Sequence, residues 1–171
     1  MWVVQLADFV IPLDLNGLGL RPRTFRGLIG IALMPFLHAG LGHLLSNTVP
    51  LVILLGLTVT TRRQPWHVVV SIVLGNGILL WLFGRNAIHV GASGLVFGLI
   101  AYLITVGIRE KQLKSLTIAI LVGFFFGTTL LFGVMPTFRS AVSWDGHLCG
   151  AISGTFVALM GTAVSAQLSA R

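Results

Sequence analysis

Acidic side chains are nearly absent from this sequence: only four Asp and Glu residues stand among 171. Charge of either sign makes up 9% of the chain, against about 25% in an ordinary soluble domain. With 56% apolar residues and a mean hydropathy of +0.98, that scarcity excludes a water-soluble globular domain. A single cysteine, Cys149, excludes an intramolecular disulfide, and its place inside the last apolar stretch marks it as a packing residue. No HExxH pattern is present, so the zinc-protease helix motif is excluded. The acids are Asp8, Asp14, Glu110 and Asp145, which leaves neither a pair of intramembrane aspartates nor the carboxylate relay of a pump. No metal and no cofactor is expected. The first thirteen residues lack the basic start and the cleavage site of a signal peptide.

What the sequence has instead is long uncharged runs. Residues 27–61, 64–84, 86–108, 115–138 and 146–170 contain no Asp, Glu, Lys or Arg. A helix needs about 20 apolar residues to cross the hydrocarbon core. Lipid offers the backbone no hydrogen bonds, so each crossing is expected to be a helix; the alternation of a membrane barrel strand is missing. The net charge of +7 does not argue for nucleic-acid binding, because the cations sit in short turns between apolar runs and form no basic face.

These runs predict an all-α membrane protein with six transmembrane helices, forming one domain over residues 1–171. The first span, Met1 to Leu13, is short and carries Asp8 and Pro12, so the first helix is expected to be truncated at the N-terminus. The 35-residue run divides at Pro35 and His38 into an interfacial segment near 25–37 and a span near 39–61. Further spans are expected near 66–84, 92–108, 115–134 and 146–166. Loop cations number six on one side (Arg62, Arg63, Arg109, Lys111, Lys114, Arg171) and five on the other (Arg21, Arg23, Arg26, Arg85, Arg139), too even to orient the chain.

Polar groups inside a membrane are expensive and ask for a reason. Three clusters stand out: His38 to Asn47 at the start of span two, Gly91-Ala92-Ser93-Gly94 at the start of span four, and Asp145-Gly146-His147 at the start of span six. Spans two, four and six run in the same direction, so the clusters fall at one side of the membrane and at similar depth. His43 and Asn47 are four apart and share a helix face. Gly94 and Gly98 on one helix, and Gly150 and Gly154 on the face of His147, make small-residue stripes that let membrane helices approach closely. Ser93 and His147 are thereby expected to meet.

A serine hydroxyl is a weak nucleophile until a base takes its proton, and a neutral imidazole can do so. Asn47, His43 and the Ser93 amide are candidate donors to the oxyanion that follows, and Phe97, four residues after Ser93, is placed to pack on the His147 ring. His38 and His43 as a metal pair are disfavoured by their five-residue spacing. His67 and His89 read as interfacial residues, and Asp145 as a solvated loop residue outside the dyad. Gly91 reads as a source of loop flexibility or, through its amide, as a further oxyanion donor, with the former favoured.

With these residues in place, the chain resembles the rhomboid family of intramembrane serine proteases. The resemblance rests on His38, His43 and Asn47, on Gly91-Ala92-Ser93-Gly94, and on His147 with Gly150 and Gly154, and it covers nearly the whole sequence. It implies a six-helix rhomboid-like bundle, a Ser93–His147 dyad with no third acidic member, and an oxyanion site at His43 and Asn47. It also implies substrates that are transmembrane segments of other proteins, no metal, and an active site facing the extracellular side of the plasma membrane. The expected partners are those substrates and the lipid bilayer, not nucleic acid. Two departures stand: the family's Trp-Arg pair of the first loop is matched only by Phe25-Arg26, and the first helix is incomplete.

Two other functions compete. A rhomboid-like pseudoprotease would bind membrane proteins without cutting them, but such proteins lose the serine or the histidine, and both are here. A small channel would carry its polar residues at the midplane or at both ends, whereas these gather at one end.

Overall fold

The computed structural model describes residues 1–11, 14–136 and 143–169, with the side chains of the last helix described as far as Gly161. Pro12, Arg139 and Arg171, which entered the reading of the first span and of the loop charges, lie outside the described residues. The described chain is helical: α1 (Trp2–Val10), α2 (Gly30–Leu33), α3 (Leu41–Thr61), α4 (Pro65–Phe83), α5 (Ser93–Glu110), α6 (Leu113–Gly133) and α7 (Trp144–Ser169), with short 3₁₀ turns before and after α2.

Helices α3, α4, α5 and α6 are each long and apolar enough to cross a membrane. Their limits follow the charges and helix breakers: Arg62 closes α3, Pro65 opens α4 at a position where its missing N–H costs nothing, and Glu110 closes α5. α7, with 26 residues, occupies the place expected of the sixth span. The first span is different. α1 has nine residues, about 14 Å of helix, roughly half the hydrocarbon thickness. It lies against α3 through the Trp2 indole N–H, which donates to Thr48 Oγ1 at 3.2 Å. The expected six-helix bundle is therefore seen as an all-helical bundle with four membrane-length apolar helices among the described residues. The segment expected near 25–37 is seen as the short apolar helical stretch Arg26–Phe36.

α5 is the centre of the bundle. It packs most extensively on α7, then on α6, and also meets α3 and α4. Lipid tails are as apolar as Leu, so close backbone approach rather than water exclusion must hold these helices together. α5 meets that need with glycine. A Cβ on Gly150 would run into the carbonyl oxygen of Gly94, and one on Gly154 into that of Gly98. On the other flank Gly107 faces Ala119 and the Ser115 carbonyl of α6. At the end remote from Ser93, Arg62 donates to Glu110 Oε1 at 2.7 Å and to Ser115 Oγ at 3.3 Å, tying the ends of α3 and α5 to the start of α6.

The first loop packs onto the loop before α5. Leu20 and His89 exchange both backbone hydrogen bonds, at 3.0 and 2.8 Å, and the Gly91 N–H donates to Met34 O at 2.9 Å. Phe25-Arg26 does not provide the anchor, since Phe25 is 89% exposed. Arg23 does so instead. Its guanidinium donates to Leu82 O (3.1 Å) and Gly84 O (2.9 Å), the unpaired carbonyls at the end of α4. The Trp81 indole returns a bond to Thr24 O at 2.9 Å.

Candidate active site

Ser93, His43 and His147 all fall in the first turn or two of α5, α3 and α7, at the same end of the bundle. The glycine seam sets their spacing. Ser93 adjoins Gly94, His147 lies one turn before Gly150, and those two glycines touch backbone to backbone. The Phe97 ring, one turn below Ser93, stacks on the His147 imidazole with centroids 4.0 Å apart and planes at 8°. His147 is buried. Its Nδ1 sits 2.9 Å from the carbonyl oxygen of Gly133 at the end of α6. A carbonyl only accepts, so Nδ1 carries a proton, and in the neutral ring Nε2 presents its lone pair. That is the tautomer a general base needs. Among the described residues no hydrogen bond joins Ser93 to His147. Such bonds are often long in a free enzyme and tighten when substrate binds.

α3 supplies the other wall. Gly91, two residues before Ser93, has φ +114°, a left-handed conformation that side chains resist, and a Cβ there would lie 2.6 Å from His43 Cε1 and 3.5 Å from Asn47 Nδ2. Gly91 thus serves close approach of the imidazole, not the loop flexibility read from sequence. Asn47 is buried, and its Nδ2 donates one hydrogen to His43 O at 3.0 Å. The amide carries a second hydrogen that remains available. The first intrahelical bond shown for α5 runs from the Val96 N–H to Ala92 O, so the Ser93 amide is one of the free donors at a positive helix end. His38 lies above, buried, with its ring edge-on to His43 at 5.2 Å and, among the described residues, no hydrogen-bond partner on either ring nitrogen. Burial, and then the neighbouring His43, hold its pKa down at about 4, so it is neutral at pH 7. No group of three His, Cys, Asp or Glu among the described residues could hold a metal ion.

One sequence reading fails here: Asp145 is not a solvated loop residue but is 6% exposed, and His89 beside it is packed inside the protein at 3% exposed. Asp145 Oδ2 accepts the Arg85 backbone N–H at 2.8 Å, and its Oδ1 lies 3.2 Å from Arg85 Nη2 and 3.1 Å from Ser143 Oγ. His89 bridges Ser143 Oγ (2.7 Å) and Arg85 O (3.1 Å). Hydropathy gave no sign of this network. Asn76 was missed as well: it is buried in the middle of α4, its side chain lies against Gly94, and its Oδ1 has no hydrogen-bond partner among the described residues.

Fold and site together define a polytopic helical membrane protein with a Ser, two His and an Asn gathered at the starts of three parallel-running helices. Comparison with known proteins narrows the class. The model of the Rhomboid domain matches residues 26–163, and the chain belongs to the rhomboid family. It is 36% identical over 171 residues to uncharacterized proteins of Mycobacterium tuberculosis and Mycobacterium bovis, covering 94% of this chain and 70% of theirs. It is 31% identical over 131 residues to rhomboid-related protein 1 of Caenorhabditis elegans, covering 71% of this chain and 36% of that protein. No solved structure matches it.

Proposed function

We infer that this rhomboid-family protein is an intramembrane serine endopeptidase that cuts transmembrane segments of other proteins with a Ser93–His147 dyad. The observation that carries the reading is the Gly94–Gly150 contact, which sets the nucleophile helix against the base helix, together with the His147 tautomer fixed by Gly133 O. Ser93 Oγ attacks the scissile carbonyl carbon as its proton passes to His147 Nε2. The oxyanion is met by the Ser93 amide, the second Asn47 hydrogen and His43. His147 then hands the proton to the leaving amine. Water, deprotonated by the same imidazole, releases the acyl group. A transmembrane helix hides its carbonyls in its own hydrogen bonds, so cleavage needs local unwinding, and substrates with Gly or Pro breakers beyond the cut are favoured. The site lies at helix starts, within reach of water from one side, which we assign to the exterior of the plasma membrane.

The rival reading, a pseudoprotease that holds membrane proteins without cutting them, draws on one observation: Ser93 and His147 share no hydrogen bond among the described residues. A fluorophosphonate separates the two. The protease reading expects stoichiometric labelling of the wild-type chain and none of Ser93→Ala. A wild-type chain that stays unlabelled would sink it.

A further inference from the structure

The polar network around Asp145 is built between the two halves of the dyad. Arg85 and His89 belong to the loop that leads into Ser93, with His89 four residues before it; Ser143 and Asp145 open the helix that carries His147, with Asp145 two residues before it. Several contacts cross between these segments: the Arg85 amide and guanidinium to the carboxylate, the His89 ring to Ser143 Oγ, and the Arg85 guanidinium over the Trp144 ring at 5.4 Å, while the His89–Arg85 O and Ser143–Asp145 bonds brace each segment on its own side. Ser143 also caps α7, accepting from the Gly146 N–H at 3.2 Å. The loop is pinned on its other side by Leu20 and Met34. Asp145 cannot act as a third catalytic member. Residues two apart on a helix point about 200° apart, and His147 Nδ1 is already committed to Gly133 O.

We propose that Asp145 is a positioning residue, a carboxylate clamp that sets the entry of α5 against the entry of α7 and so holds Ser93 at its distance from His147. The proposal rests on the dyad reading. A buried carboxylate bonded to a backbone N–H and a guanidinium is a stiff link, because releasing either partner leaves a buried polar group unpaired. The glycine seam fixes how closely the two helices approach; the clamp fixes the rim where the seam ends.

The test uses the full chain in lipid nanodiscs and the Asp145→Asn variant, which keeps shape and removes the charge. Two readouts are taken: the rate of Ser93 labelling by a fluorophosphonate, and backbone hydrogen exchange. Loss of alignment of about 1 Å can slow reaction by roughly 10²-fold, so labelling is expected to slow by about 10- to 100-fold. Exchange is expected to quicken in residues 85–92 and not in α3, α4 or the lower turns of α5. KM for a transmembrane substrate should stay put while kcat falls. Unchanged exchange at 85–92 would overturn the clamp. Faster exchange with wild-type labelling would overturn its role in positioning. Faster exchange throughout the bundle would make Asp145 a general stability residue and overturn the proposal too. A wild-type chain that fails to label marks failure of the protease reading instead, and exchange still decides the clamp.

Discussion

α5 and α6 are consecutive helices, both apolar enough to cross a membrane, yet 67% of the most apolar window of α5 is buried and only 11% of that of α6. The more apolar of the two is the less buried. Each carries a pair of glycines four apart, Gly94 and Gly98 in α5, Gly123 and Gly127 in α6. The first pair meets the Asn76 side chain, the Ile72 side chain and the backbone of α7; a Cβ on either member of the second pair would meet nothing within 4 Å. Apolarity therefore decides that a helix enters the membrane, and a matching small-residue face on a partner decides where it packs. Gly150 and Gly154 are that matching face. The Gly123–Gly127 face of α6 meets no such partner among the described residues, and Phe124, Phe125 and Phe132 of that helix are exposed.

The comparison is broken most strongly by filling the seam. In Gly150→Val or Gly154→Val the new side chain meets backbone carbonyls that cannot rotate away. The helices must part, and protease activity should fall by about 10²-fold or more, measured as initial cleavage rate at equal amounts of folded protein. Full activity would mean that the seam does not set the dyad.

A smaller effect concerns the rim. The folded-state pKa of His38 is about 4, below its ordinary 6.5. Between those values the unfolded chain binds a proton that the folded chain refuses. Stability from this residue is therefore whole above about pH 6.5, declines as pH falls towards 4, and changes no further below it. Thermal midpoints measured from pH 7 to 4 should drop, and His38→Gln should drop less over the same range. Equal slopes would show that His38 is not the group that titrates.

The smallest effect is the control. Gly123→Val and Gly127→Val project into open space on a lipid-facing helix and should change activity by no more than about twofold. A large loss would show that α6 meets a partner at that face.

Much of this was legible in residue order, and for stated reasons. Charges punctuate the spans, so the span limits expected near 61, 66 and 108 fall within two residues of the observed ends at Thr61, Pro65 and Glu110. The convergence of His43, Ser93 and His147 followed from counting helices, because every second helix starts on the same side. What could not be read was long range. Arg85 and Asp145 are 60 residues apart, and no local period announces that they pair. Phe25-Arg26 was only a loose match to the family's Trp-Arg pair of the first loop, and no local pattern marked Arg23, which, in a left-handed backbone conformation at φ +55°, reaches the α4 carbonyls. The glycines of α6 show the same limit: their spacing equals that of α5, and only the fold distinguishes them.

The central claim is that Ser93 and His147 act as one catalytic unit at the water-facing end of the glycine seam. It is tested most directly by cleavage of a model transmembrane substrate in proteoliposomes. Wild type, Ser93→Ala, His147→Ala and the double variant are compared, with helix content measured for each. Wild type should cut near the membrane surface on one side. Each single variant should fold, insert and lose cleavage as completely as the double variant, because a proton transfer needs both partners. Cleavage at the same bond by Ser93→Ala would contradict the account.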